Sequence, residues 1–268
     1  MMRKFYVVGN LKMNVLSRAE AEKYMTVLKR EASGKSFEYV KGIICPPFPY
    51  LATFDHLPKG VEKGAQNLFW EKSGAYTGEV SPLMLKNEGV EYVLVGHSER
   101  RLYGNETNEI VREKTLAALK HHLTPIVCIG ETAEERQAEE TDRVLELQVK
   151  SLFAELSKLQ AEKIMLAYEP RWAIGTDRIP TTAEILQVKV LLRKILTEAY
   201  DARTAERISV LYGGSVKSAF LGAVSWEAEL DGVLVGRESL FPYEVVKMMQ
   251  LFEEEAAREK KKESQSRA

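Results

Sequence analysis

An apolar run, Ile164-Met165-Leu166-Ala167-Tyr168, stops at Glu169, and Pro170 follows at once. Proline cannot donate to a sheet ladder, so this carboxylate stands where a strand gives way to a loop. Downstream, Arg171-Trp172-Ala173-Ile174-Gly175-Thr176 supplies an indole and small residues able to fold over it. Thr181-Thr182 with Glu184 then has the spacing of a helix cap. A carboxylate on a rigid strand end, beside a closing lid, is suited to taking a proton from carbon. Alone, a Glu-Pro step is more often an ordinary solvated strand end, so the other strand ends decide.

Lys12 lies two residues past the apolar run Phe5–Gly9, with Asn10 and Asn14 on either side. At a strand mouth its ammonium would stabilise an anionic intermediate, although a lone lysine is also a solvated charge. His97 is the one histidine of four at a strand end, and Ser98-Glu99-Arg100-Arg101 after it reads as a first helical turn. Backbone N–H groups there favour a neutral imidazole that donates to a carbonyl oxygen, with a packing or capping role as the alternative. Gly213-Gly214-Ser215 and Gly236-Arg237 follow two further apolar runs. Backbone N–H groups in such turns bind phosphate, while Gly-Gly by itself marks only a turn.

These residues need a frame that brings distant strand ends together. Strand-like runs occur at Phe5–Gly9, Gly42–Cys45, Val61–Gln66, Tyr92–Gly96, Pro125–Ile129, Ile164–Tyr168, Ile208–Tyr212 and Gly232–Val235. Several are continuously apolar, as expected of parallel strands covered on both faces. Helical periodicity fills the intervals, most clearly at Arg18–Arg30, Asn108–His121, Glu134–Leu159 and Ala183–Tyr200. Eight β-α units in 268 residues predict a single-domain α/β fold, a (β/α)8 barrel over residues 1–252. In such a barrel Asn10, Lys12, Gln66, Asn67, His97, Glu131, Glu169, Ser215, Gly236 and Arg237 converge on one mouth. Residues 253–268, mostly charged or small, read as the last helix fraying into a flexible tail.

Composition narrows the function. The chain is 45% hydrophobic and 29% charged, with a formal net charge of -1. It therefore has no general attraction for nucleic acid or anionic membranes, and any anion site must be local. With no long apolar segment and no signal-like N-terminus, a cytoplasmic location is expected. Cys45 and Cys128 lie within strands and read as buried thiols; no metal-ligand spacing is present. Lys12, neutral His97, Glu169 and a phosphate cradle together define one reaction class. The carboxylate removes a proton next to a carbonyl, and the imidazole and ammonium stabilise the enediolate without metal or nucleotide cofactor.

The ordered motifs Gly9-Asn10-Leu11-Lys12-Met13-Asn14, Val93-Leu94-Val95-Gly96-His97-Ser98-Glu99-Arg100-Arg101, Ala167–Thr176 and Tyr212–Val216 resemble the triosephosphate isomerase family. A glutamate base beside a neutral histidine electrophile is that family's own long-recognised arrangement, so the pairing itself is not a new inference here. The resemblance runs from Tyr6 to about Leu240. It implies a TIM barrel of glycolysis and gluconeogenesis that interconverts D-glyceraldehyde 3-phosphate and dihydroxyacetone phosphate without a cofactor. By motif position, Glu169 is the base, His97 the electrophile, Lys12 the stabiliser and Glu99 the group that organises the lysine. Asn10 contacts substrate, and Pro170, Arg171, Trp172, Ala173, Ile174, Gly175 and Thr176 form the lid, Gly175 donating its N–H. Ser215, Gly236 and the backbone of Arg237 complete the phosphate site. Gly74–Glu79 resembles the family's dimer loop, with Thr77 at its tip, which implies a homodimer.

The chain departs from the family pattern at Leu11, where tryptophan is usual, and at Arg171, Asp177, Arg178 and Arg237. Asp177 and Arg237 stand where glycine is usual; if position 237 required φ > 0, arginine would cost about 1–2 kcal/mol there. Two other readings are another sugar-phosphate barrel, and a binding protein that kept the pocket while its lid drifted. The pairing of Gly-His-Ser-Glu-Arg with Glu-Pro-Arg-Trp argues against the first. An intact carbon base argues against the second.

Overall fold

Neighbouring residues along each strand pack into two different cores. Val8, Ile43, Cys45, Leu94, Ile126, Cys128, Ala167, Leu211 and Leu234 cluster together. Their neighbours Val7, Ile44, Val93, Val127, Leu166, Val210 and Val233 belong to a second, larger cluster shared with the helices. A period of two with both faces buried is what a sheet rolled around its own side chains demands. It also explains why the strands read as unbroken apolar runs.

The computed structural model describes residues 4–173, 180–221 and 227–266, without the side chains of Phe220 and residues 263–266. Its strands are β1 (Phe5–Asn10), β2 (Val40–Cys45), β3 (Val61–Ala65), β4 (Tyr92–Val95), β5 (Thr124–Ile129), β6 (Met165–Tyr168), β7 (Ser209–Gly214) and β8 (Gly232–Val235). They form a closed barrel in chain order, and β8 returns in parallel to β1 with Tyr6 opposite Gly232. The chain is thus a (β/α)8 TIM barrel, as its strand count predicts. Leu11, in place of the usual tryptophan, is fully buried.

The helices outside are α1 (Arg18–Ala32), α2 (Pro82–Asn87), α3 (Ser98–Tyr103), α4 (Asn108–Lys120) and α5 (Ala133–Gln137). They continue with α6 (Thr141–Phe153), α7 (Lys158–Ala161), α8 (Thr182–Ala199), α9 (Ala202–Arg207) and α10 (Pro242–Ser266). Side chains of Ser17, Thr107, Thr132, Thr181 and Asp201 accept from first-turn N–H groups and set where helices begin. The expected helix Glu134–Leu159 is instead three helices, α5, α6 and α7. Glu139 is left-handed with φ 57°, which no α-helix accommodates, and Ser157 opens α7 with a capping box to Gln160. Helix α10 runs unbroken through Glu253, whose carboxylate accepts the backbone N–H groups of Glu38, Tyr39 and Val40. That contact holds the charged end of the helix against the start of β2.

Candidate active site

Glu169 follows β6 directly and is 4% exposed. Its backbone N–H donates to the carbonyl of Ile129 at 2.7 Å, continuing the β5–β6 ladder by one residue. Two flanking glycines, one just past β5 and one in β7, leave room for it. A Cβ on Gly130 would lie 1.9 Å from the Glu169 carbonyl oxygen, and one on Gly213 would lie 2.7 Å from its Cγ. Oε2 accepts the backbone N–H of Ser98 at 3.1 Å, and Oε1 lies 3.2 Å from Nε2 of His97. The barrel therefore brings the ends of β4 and β6 into direct contact.

His97 is the N-cap of α3 and is 5% exposed. Its Nδ1 accepts the backbone N–H of Glu99 at 3.3 Å, so a neutral ring carries its proton on Nε2, facing Glu169. Burial works against charge on both members of this pair, but each is the other's counter-charge. The net direction with the two in contact is up for His97 and down for Glu169. Lys12 pushes the imidazole back towards neutrality. The thiol of Cys128 also faces the carboxylate and is pushed far up, first by burial and then by Glu169.

Lys12 adopts a left-handed backbone, φ 51°, that costs a non-glycine residue about 1–2 kcal/mol. Polar neighbours hold it there. Its N–H donates to Oδ1 of Asn10 at 3.0 Å, and Nε2 of Gln66 donates to its carbonyl at 2.9 Å. The bent backbone brings Nζ to 2.6 Å from Oε1 of Glu99. Strain at a lysine that its surroundings over-determine is a way of aiming the side chain.

The ends of β7 and β8 complete the mouth. Ser215 directs its hydroxyl to the carbonyl of Ala173 at 3.4 Å. Gly236 opens a 3-10 turn, Arg237–Leu240, and Arg237 is not among the residues with positive φ. The backbone cost that arginine would carry in a left-handed position does not arise. Asn10, Lys12, His97, Glu169, Ser215 and Gly236, with Glu99, Arg171, Trp172 and Arg237, line one cleft of about 760 Å³.

At the lid, Pro170, Arg171, Trp172 and Ala173 are described; Ile174, Gly175 and Thr176 lie outside the described residues, as do Asp177 and Arg178. The indole of Trp172 donates to Oε1 of Glu131 at 2.8 Å, which also accepts from the Tyr168 hydroxyl at 3.1 Å. Arg136 lies over the indole, its Cζ 5.3 Å from the ring centroid, and pairs with Glu184 at the start of α8. Of the residues around Trp172, Glu131 stands out in the sequence only as a strand-end residue. Ser98 as the carboxylate's N–H donor, Gln66 as the lysine's anchor and Arg136 were missed, because their roles depend on contacts far apart in the chain. Thr77 lies in an exposed segment, Glu71–Glu79, away from this cleft.

Among the described residues no cluster of three or more His, Cys, Asp or Glu side chains could hold a metal, and no helix is long and apolar enough to cross a membrane. Cys45 and Cys128 are buried free thiols. The family model for triosephosphate isomerase matches residues 5–252. The triosephosphate isomerase of Dictyoglomus turgidum is 41% identical over 243 residues, covering 90% of this chain and 96% of that protein. Those of Clostridium botulinum strain Langeland and Endomicrobium trichonymphae are 42% and 43% identical, each over 89% of this chain and 96% and 95% of their own lengths.

Proposed function

This chain belongs to the triosephosphate isomerase family and is a glycolytic isomerase; from that premise we propose that Glu169, His97 and Lys12 carry its reaction as base, electrophile and electrostatic stabiliser. The observation that carries the assignment is the His97–Glu169 contact. Nδ1 is occupied by a backbone donor, so the neutral ring can offer a proton only from Nε2, into the cleft. This is the arrangement long recognised in the family.

With substrate bound, the Glu169 carboxylate must leave at least one of its present partners, such as Ser98 N–H or His97, to reach carbon. It takes the proton from the carbon beside the carbonyl, and electron density moves to the carbonyl oxygen, giving an enediolate. The Nε2–H of His97 donates to that oxygen, and the Lys12 ammonium stabilises the negative charge. The neighbouring hydroxyl's proton passes to the original carbonyl oxygen by way of His97 Nε2, its oxygen becomes the new carbonyl, and Glu169 returns the carbon-bound proton to the former carbonyl carbon. No electron leaves the substrate. Removing Glu169 from His97 also removes the main counter-charge that raises the imidazole, leaving burial and Lys12 to favour the neutral donor against Glu99.

Glu99 positions the ammonium, and Asn10 contacts substrate beside it. The backbone N–H groups after β7 and β8, at Ser215, Gly236 and Arg237, receive the phosphate with Gly175. Closure of Pro170–Thr176 keeps water from the enediolate. We assign a homodimer in which Thr77 reaches a second copy's cleft. The exposed apolar side chains Met13, Tyr76 and Tyr103 support a covered interface. A cytoplasmic location fits a soluble glycolytic substrate.

The test is NMR of the protein with D-glyceraldehyde 3-phosphate, wild type against Glu169→Gln. Rapid appearance of dihydroxyacetone phosphate, slowed about a thousandfold or more in the variant, is the expected result. Equal rates would sink the assignment of the base.

A further inference from the structure

We propose that the guanidinium of Arg237 is a side-chain ligand for the substrate's phosphate, added to the backbone donors of the same turn. The proposal rests on the phosphate end of the cleft lying at β7 and β8, as assigned above.

The root of this side chain is fixed. Arg237 begins the 3-10 turn whose Ser239 is fully buried, with its N–H donating to the Gly236 carbonyl at 3.0 Å. The Ser239 hydroxyl reaches the carbonyls of Asn10 at 3.1 Å and Gly236 at 2.6 Å. Tyr24, from α1, donates its buried hydroxyl to the Ser239 carbonyl at 2.8 Å. Contacts from α1 and β1 thus hold the turn, and the arginine projects from a base that does not depend on the lid.

Its head is free. Arg237 is exposed and lines the cleft, and among the described residues no hydrogen bond or ion pair engages its guanidinium. Lys12, by contrast, is held by Glu99. Glu134 and Glu238 also line the cleft, and neither is ion-paired with Arg237. The cleft floor beside Lys12 is bare: a Cβ on Gly236, the residue before Arg237, would already lie 3.4 Å from Lys12 Cε. A planar fork of N–H donors beside this floor matches a phosphate's oxygens in a way that a point charge does not. Arg171 and Lys217 line the cleft as well. Arg171 directly follows Pro170 and Lys217 caps the 3-10 turn Ser218–Phe220, so neither belongs to the anchored turn. A chain of net charge -1 has no long-range pull on a dianion, so a local cation also steers arrival.

The test compares wild type with Arg237→Gln and Arg237→Lys in two measurements. One is calorimetric titration with inorganic phosphate; the other is steady-state isomerisation at several salt concentrations. In Arg237→Gln we expect phosphate affinity to fall about tenfold, discounted for exposure, and KM to rise by a similar factor with kcat within about twofold. Arg237→Lys should recover part of both, and the salt dependence of kcat/KM should flatten in Arg237→Gln. Unchanged phosphate affinity would overturn the proposal. So would a fall in kcat with phosphate affinity intact, which would mark a packing role. A wild type that binds phosphate without isomerising would refute the catalytic assignment instead, and the titration would still decide Arg237.

Discussion

At the N-terminal ends of the barrel strands, charged groups close on one another. Lys41 of β2 pairs with Glu62 of β3 at 2.5 Å, and Lys63 binds Asp55 and the carbonyl of Glu88. Asp231 accepts the N–H of Val210 at 2.7 Å and a guanidinium N–H of Arg193 at 3.4 Å, while Glu253 takes three backbone N–H groups. At the C-terminal ends the same strands carry a strained Lys12, a buried carboxylate facing a histidine, and glycines where side chains would fill the space. Among the described residues, the buried polar atoms without a hydrogen-bond partner are Ser98 Oγ, Glu131 Oε2 and Tyr212 Oη at this end, Glu106 Oε2 in the loop before α4, and Arg193 Nε near the other end. One end spends its polar groups on cohesion, and the other leaves them for a substrate. A site kept incomplete costs stability, and the closed end offsets that cost.

Substitutions at the two ends should therefore separate activity from stability. The largest effect is expected at the mouth. Lys12→Met keeps the chain length but removes the charge, and kcat/KM should fall about a hundred- to thousandfold. Glu99, left without its partner, is 45% exposed at its side chain and can be solvated, so the melting temperature should barely move. At the closed end the pattern should reverse. Asp231→Ala strands a buried N–H and takes a partner from Arg193, whose side chain is 13% exposed. A loss of about 2–4 kcal/mol in denaturant unfolding is expected, with kcat within about twofold for the folded fraction. If Asp231→Ala slowed turnover as much as Lys12→Met, the two ends would not be separable.

The same contrast explains what was legible in the chain. Strands were readable because both faces of each are buried, so apolar runs mark them directly; all eight lie within two residues of their expected positions. Lys12, His97 and Glu169 stood out as candidates because the strand ends of a closed barrel share one face, so polar residues that are each unremarkable alone had to meet there. The break at Glu139 was not, since apolar periodicity counts residues and does not see one of them turn left-handed. Ser98, Gln66 and Arg136 were hidden for a different reason. Their partners lie 71, 54 and 48 residues away, so only closure of the barrel defines them. Position 237 could not be judged from its residue type alone. Whether arginine is strained there depends on a turn set by Ser239 and Tyr24.

The smallest expected effect belongs to an exposed pair at the closed end. Asp201 caps α9 by accepting the N–H of Thr204 at 2.7 Å, and its other oxygen meets Nζ of Lys158 at 2.5 Å. The Lys158 hydrogen bond first, and then the Thr204 N–H, hold its carboxyl down at about 2, from an ordinary 3.8. A depressed carboxyl stabilises the fold above its unfolded value and loses that contribution as pH falls through the folded one. Asp201→Asn keeps a good N-cap while removing the charge, so it isolates the ionic part. The melting temperature of the variant should sit slightly below wild type at neutral pH. The gap should narrow as pH falls from about 4 towards 2, and added salt should narrow it at neutral pH, since both partners are exposed. A gap that persists at low pH would mean the asparagine disturbs the cap itself. A gap that salt leaves untouched would show that even exposed charges at this end act through packed geometry.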